Sequence, residues 1–261
     1  MKFVPKPLRK TSDISRGKAS FKGWLRSAAS ALLTLLLMYF GVGLLTDLVI
    51  ANISEKTEAR WFSWTFAAMA KASDDKDEEL ERAQAIFSRL IENSEVRPLP
   101  YQLFLIDMPD PNALALPGGG VGVTRGLLKK VENETGMAMV LAHELGHHTG
   151  RHNLKRIGRM LAWNTLLNVV MGGVDLSALE LGVRLSESGY GREQERNADE
   201  FGMRLVHQVY GHTQGALEFF ELVQTESRQD DSKWLAFTST HPLTTERISY
   251  LKDLQQHLKT E

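Results

Sequence analysis

Apolar side chains gather into one long run near the start of the chain and recur at helical spacing through most of the rest. Residues 28–45 carry no charge; Thr46-Asp47 interrupts, and Leu48-Val49-Ile50-Ala51 resumes the run. As a helix this stretch crosses a hydrocarbon core about 30 Å thick, so residues 28–51 are expected to form a retained transmembrane anchor. A cleaved signal peptide has a shorter apolar region. Residues 57–71 place Trp61, Phe62, Trp64 and Phe66 close behind it, suited either to the bilayer interface or to a helix packed on the domain core. Leu80, Ala83, Ile86, Phe87, Leu90 and Ile91 repeat at helical intervals and predict an amphipathic helix over 77–93. Leu103-Phe104-Leu105-Ile106, behind Pro98 and Pro100, reads as a buried strand.

The next stretch, 112–124, reads as a hairpin turned at its glycines, with Pro117 at its end or on an edge strand. No Gly-Lys-Ser/Thr follows, which argues against a phosphate loop. The segment from Met137 to Ala142 is apolar all round, as a buried helix is, and Asn133 or Thr135 stands where a cap is needed. Residues 161–171 are apolar but too short to span, so they belong to the core or face the membrane. Helical spacing returns over 191–205 and 217–223. After the break at His241-Pro242, Ile248, Leu251, Leu254 and Leu258 trace a last amphipathic helix. No internal repeat emerges. The pattern predicts a mainly helical α+β protein with one small sheet, preceded by one N-terminal transmembrane helix.

Charge orients this arrangement. The first 26 residues hold eight basic side chains against Asp13 alone, a net of +7, so a total of −1 leaves −8 for the remainder. Such a split argues against a nucleic-acid binder. Basic residues flanking an anchor stay in the cytoplasm, which places the rest of the chain on the periplasmic or extracellular side of a bacterial inner membrane. The expected organisation is a basic cytoplasmic arm at 1–27, a single-pass anchor through the lipid bilayer at 28–51, and a catalytic domain at 52–261. The chain has no cysteine, which excludes disulfides and thiolate-bound metal.

The chemistry centres on His143-Glu144-Leu145-Gly146-His147. Residues four apart on a helix lie about 40° apart in azimuth and one turn apart along the axis. Both imidazoles therefore leave one face and can close on one metal ion. Glu144 projects about 100° away from His143, within reach of a water on that metal. Two nitrogens, a carboxylate base and an open position make a zinc hydrolase site. A buried helix with this many polar groups would leave them unsatisfied unless something binds them.

A third protein ligand is required, and three choices present themselves. The metzincin extension needs a histidine at 153, where Asn153 stands. His148 and His152 are also four apart, but they lie on a different face and suit surface or orienting roles. The remaining choice is Glu195, one turn before Asp199 on a helix whose next apolar residues are Phe201, Met203, Leu205 and Val206. That face would put Glu195 on the metal and Asp199 behind a ligand histidine; an exposed charged helix is the other reading, and it suits Glu193 and Glu200.

HELGHHTGRH at 143–152, EQERNADEFG at 193–202 and THPLTTERI at 240–248 resemble, in order, the motifs of one family of zinc metallopeptidases. It is the HtpX, BepA and CAAX-prenyl-protease family, metallopeptidase family 48. The resemblance covers roughly residues 95–250. It implies a gluzincin-type domain with one zinc ion per chain held by His143, His147 and Glu195. Asp199 then becomes a companion of the ligands, and His241 and Arg247 become active-site neighbours, with His241 facing the oxyanion. The segment Asn112-Ala113-Leu114-Ala115-Leu116 resembles the edge strand beside the cleft. Asn197 departs from the acidic residue common in the family, and the single anchor departs from its multi-spanning members.

These readings converge on a membrane-anchored zinc metalloendopeptidase. Glu144 would act as general base, and the substrates would be unfolded membrane or envelope proteins met in quality control. A catalytically silent zinc-binding chaperone or scaffold at the membrane is the alternative.

Overall fold

A computed structural model describes residues 21–72, 77–171, 191–226 and 234–260. The chain divides into two compact units, one ending at Leu44 and one beginning at Leu45. Most of the expected basic arm, residues 1–20, lies outside the described residues.

The first described element, α1 (Phe21–Ala51), is a single 31-residue helix. It starts seven residues before the predicted anchor, because Lys22, Leu25 and Arg26 are good helix formers and no proline intervenes. Leu32, Leu37, Phe40 and Leu44 are each more than half exposed. Among the described residues α1 is the one helix long and apolar enough to cross a membrane.

The second unit is built around one buried helix. α2 (Glu55–Ala72) turns Phe66 inward, where it stacks on Phe104, and leaves Trp61 and Trp64 exposed. The expectation of a helix packed on the domain core thus holds on the Phe66 side. α3 (Glu78–Glu92) is started by Asp77, whose side chain accepts from the Glu79 and Leu80 amides at 3.1 Å each. Its apolar stripe Leu80, Ala83, Ile86, Phe87 and Leu90 is buried as the spacing predicts.

β1 (Gln102–Ile106), β2 (Ala113–Leu116) and β3 (Gly120–Thr124) form a sheet in the order β1-β3-β2. β1 runs parallel to β3, and β2 pairs antiparallel with it as the expected hairpin. Gly118 (φ 86°) and Gly119 (φ 107°) supply the left-handed turn that a side chain would strain. β2 lies on the sheet edge. The Thr124 amide donates to Asn112 O at 3.0 Å, so by the antiparallel alternation the backbone groups of Ala113 and Ala115 turn away from β3.

α4 (Arg125–Lys130) leads into α5 (Glu134–Thr149), and every residue of α5 from Thr135 to His148 is buried. Asn133 is the cap, accepting from the Thr135 and Gly136 amides; Thr135 instead donates its hydroxyl to Asn133 Oδ1. Among the described residues, α6 (His152–Met171), α7 (Arg192–Tyr210), α8 (Glu218–Glu226), α9 (Leu235–Thr240) and α10 (Thr245–Leu258) follow. The apolar 161–171 stretch is the second half of α6. Leu161 and Val169 are exposed there, which corrects the expectation of a core segment.

Among the described helices, α5 packs most extensively against α7. A Cβ on Gly146 would lie 2.8 Å from Ala198 Cα, and one on Gly202 would lie 3.0 Å from the His143 amide nitrogen. Glycine at both points lets the two backbones approach until side chains one turn away meet.

Candidate metal centre

That approach brings Glu195 and Asp199 of α7 onto the histidines of α5. His143 Nε2 and His147 Nε2 are 3.0 Å apart. A carboxylate oxygen of Glu195 lies 3.6 Å from His143 Nε2, and the other lies 3.4 Å from His147 Nε2. His241, the C-cap of α9, points Nδ1 into the same space, 3.3 Å from His143 Nε2 and 3.2 Å from Glu195 Oε1. One donor atom from each of these four buried residues falls within 4.8 Å of the others. Ligands about 2.1 Å from a tetrahedral centre would stand about 3.4 Å apart. The observed separations match, and the donor set suits a divalent metal.

The residues behind the cluster are arranged to orient it. Asp199 Oδ1 stands 2.9 Å from His143 Nδ1, on the side of the ring away from Nε2 and the centre. Arg247 of α10 bridges the two carboxylates, with Nη1 2.5 Å from Glu195 Oε2 and Nη2 2.8 Å from Asp199 Oδ1. Glu144 is buried beside the cluster, and neither of its oxygens has a hydrogen-bond partner; His241 Nε2 is 3.6 Å away. A buried carboxylate in that state is costly unless a further group joins it.

Electrostatics follow from these contacts. Burial, then the neighbouring imidazoles of His143 and His241, pushes His147 well below the usual imidazole range, which keeps it neutral and able to bind a cation. Burial opposes the charge of Glu195, yet His241, His143 and Arg247 outweigh it and hold the carboxyl below its usual range. Asp199 likewise stays ionised against burial, held by Arg247 and His143. His241 moves the other way: burial is outweighed by Glu144 and Glu195, and its pKa rises.

The expectation that His148 and His152 share one helical face is corrected. α5 stops at Thr149, and Arg151 takes a left-handed φ of 53°, so the chain turns before His152. The ring of His152 folds back over Gly150 and meets His147 Nδ1 at 2.9 Å. With a cation on His147 Nε2, the ring would carry its proton on Nδ1 and donate it to His152, a second orienting contact. His148 is not at the surface. It is buried against Tyr101, with Nε2 3.1 Å from Gly120 O, and burial pushes its pKa down to about 4. His148→Ala should therefore keep metal at one ion per chain. It should lower stability by about 1–3 kcal/mol through the lost hydrogen bond and ring, read as a drop in the thermal midpoint at unchanged metal content.

Two features escaped the sequence reading. The Gly146–Ala198 and Gly202–His143 crossings bear on the site as much as the ligands do, and their signal was a small residue at matching turns of both motifs. The other is Asn153, whose Nδ2 donates to Ala115 O at 2.7 Å and ties the outward side of β2 to α6. Glu193 and Asn197 are exposed on α7, and Glu200 bonds Arg204 and Tyr250, away from the cluster.

Comparison with known proteins follows the same residues. The model of peptidase family M48 matches residues 77–255. The chain is 33% identical over 174 residues to mitochondrial metalloendopeptidase OMA1 of Schizosaccharomyces pombe, covering 64% of this chain and 50% of that one. It is 26% identical over 185 residues to the beta-barrel assembly-enhancing protease of Yersinia pestis, at 66% and 38% coverage. It is 29% identical over 181 residues to metalloprotease YcaL of Escherichia coli, at 66% and 68%. The chain thus spans half or less of the first two relatives.

Proposed function

The chain belongs to peptidase family M48, and from that premise we propose that it is a membrane-anchored zinc metalloendopeptidase. The observation that carries this reading is the buried cluster of His143, His147 and Glu195 with the unpartnered carboxylate of Glu144 beside it. In it His143, His147 and Glu195 would hold one zinc ion, and such an ion would supply a bound water of pKa about 7 and a Lewis acid for a peptide carbonyl. Glu144 takes the proton from the attacking water and passes it to the departing amine. Asp199 and His152 hold the two imidazoles in the tautomer that turns Nε2 to the metal, and Arg247 keeps Glu195 and Asp199 in register.

Polypeptide enters by adding a strand to β2, the edge strand of the sheet, which packs on α5. The outward groups of Ala113 and the Ala115 amide pair with it, while Ala115 O is taken by Asn153. Recognition through backbone rather than side chains supports unfolded membrane or envelope proteins as substrates, in quality control. The names of two relatives, a metalloendopeptidase and a beta-barrel assembly-enhancing protease, agree with peptide-bond cleavage. Metal analysis of the purified chain together with casein cleavage tests the activity. One zinc per chain with chelator-sensitive cleavage is expected, and stoichiometric metal without turnover leaves the scaffold reading instead.

His241 stabilises the developing oxyanion in this reading. His241→Ala should then lower kcat and kcat/KM together by about 10²–10³-fold at unchanged KM and zinc content. The 3.3 Å and 3.2 Å contacts of its Nδ1 with His143 and Glu195 favour a second reading, in which it fills a fourth ligand position. That reading predicts a lowered zinc affinity and a rise, not a fall, in cleavage by His241→Ala, so kinetics on a fluorogenic peptide separates the two.

The anchor at 28–51 carries the domain from residue 52 onward to the outer side of a bacterial inner membrane, with the basic arm 1–27 inside. The exposed apolar side chains of α1 from Leu32 to Leu45 support a lipid environment. Protease added to spheroplasts should digest the domain and spare a tag at residue 1. Digestion of the tag with protection of the domain reverses the orientation.

A further inference from the structure

The acids and bases of α2 are sorted onto opposite sides of the helix. Its two acids, Glu55 and Glu58, face the protein: Glu55 pairs with Arg97 and Arg151, while Glu58 is buried, 2.6 Å from Arg97 Nη2, and accepts from the Gly118 amide. Phe66 lies on the same side, against Phe104 and over Gly120. On the outside, Lys56, Arg60, Trp61, Trp64 and Lys71 are exposed. At 100° per residue these five fall within a sector of about 140° opposite Glu58, Phe62 and Phe66. That sector contains three cations, two indoles and no acid.

Exposed tryptophan would bring no gain in water, where apolar surface of this size is unfavourable. Interleaved with lysine and arginine on one helix face, it matches what the boundary of an anionic bilayer accepts: indoles at the headgroup level and cations on the phosphates. The place of α2 in the chain supplies the partner. α1 ends at Ala51 and α2 begins at Glu55, and Arg151 fixes the link by donating to Ile50 O and Ile53 O and pairing with Glu55. A helix that starts four residues after a membrane-crossing one starts at the membrane surface.

We propose that the outward face of α2, formed by Lys56, Arg60, Trp61, Trp64 and Lys71, docks on the anionic bilayer in which α1 is anchored. The inner face of α2 then transmits that orientation to the metal centre. Glu58 holds the turn at Gly118, and Arg97, its partner, donates to His148 O near the end of α5.

Because the chain lacks cysteine, single nitroxide labels can be placed on the full chain in phosphatidylglycerol-containing vesicles. Trp64→Cys reads the docking face, Leu37→Cys reads the anchor on which the inference rests, and Lys252→Cys on α10 is the aqueous control. The oxygen-to-nickel accessibility ratio at position 64 should exceed that at 252 several-fold. It should fall to the control level when Lys56→Glu, Arg60→Glu and Lys71→Glu are combined. A ratio at 64 equal to the control, or one that charge reversal leaves unchanged, overturns the docking while lipid contact at 37 leaves the anchor standing. Water at both 37 and 64 removes the anchor and the docking together.

Discussion

Glu144→Gln should fold, bind its full complement of metal and cleave peptide about 10²–10⁴-fold more slowly, toward the upper end of that range. The structure gives each part of that expectation a cause. Glu144 contributes no atom to the group of donors formed by His143, His147, Glu195 and His241, so an amide in its place leaves the ligands untouched. Its two oxygens are buried without a hydrogen-bond partner, and glutamine has the same shape. Replacing a buried charge by a neutral amide relieves desolvation, so the thermal midpoint should hold or rise. What disappears is the carboxylate proposed to take the proton from the attacking water, and with it the route for that proton to the leaving amine. Metal content, melting and single-turnover cleavage measured on one preparation separate these effects. Loss of metal in Glu144→Gln would place the residue among the ligands and withdraw its role as base.

The helical periodicity and the three motifs made most of this architecture legible. Met137 to Ala142 is apolar on every side, and that alone requires a buried helix and therefore a buried His143 and His147. The hairpin was legible because only glycine suits the φ values at 118 and 119. What the sequence could not carry was geometry set by tertiary contact. His152 is five residues past His147, out of phase on a continuous helix, and it reaches His147 only because Arg151 turns the chain left-handed. The fate of 57–71 was ambiguous for a similar reason: aromatics on both sides of a helix do not say which side finds a partner until Phe104 and Gly120 take Phe66. The second half of α6 reads by composition as core or as membrane-facing, and nothing in its spacing told that Leu161 and Val169 would stay exposed.

Glu195 is where sequence spacing left two readings open, and Glu195→Ala should produce the largest loss. Removing the carboxylate takes away contacts of 3.4 Å to His147, 3.2 Å to His241 and 2.5 Å to Arg247 in one step. Loss of an orienting partner costs about 10–100-fold in metal affinity, and loss of a ligand should exceed that, leaving the purified variant without metal and without measurable cleavage. The fold should survive, because Arg247 keeps both bonds to Asp199 and its donation to Pro242 O. The hole is small, and the close crossing at Gly146 and Ala198 is unaffected. Asp199→Ala gives the contrast: it frees His143 Nδ1 and strips Arg247 of its paired acceptor while leaving every donor of the cluster in place. It should bind metal about 10–100-fold more weakly and regain cleavage when metal is supplied in excess. Glu195→Ala should not be rescued at any metal concentration that leaves the wild-type chain active. Recovery of Glu195→Ala by added metal, with Asp199→Ala silent, would exchange the two roles and make Asp199 the ligand.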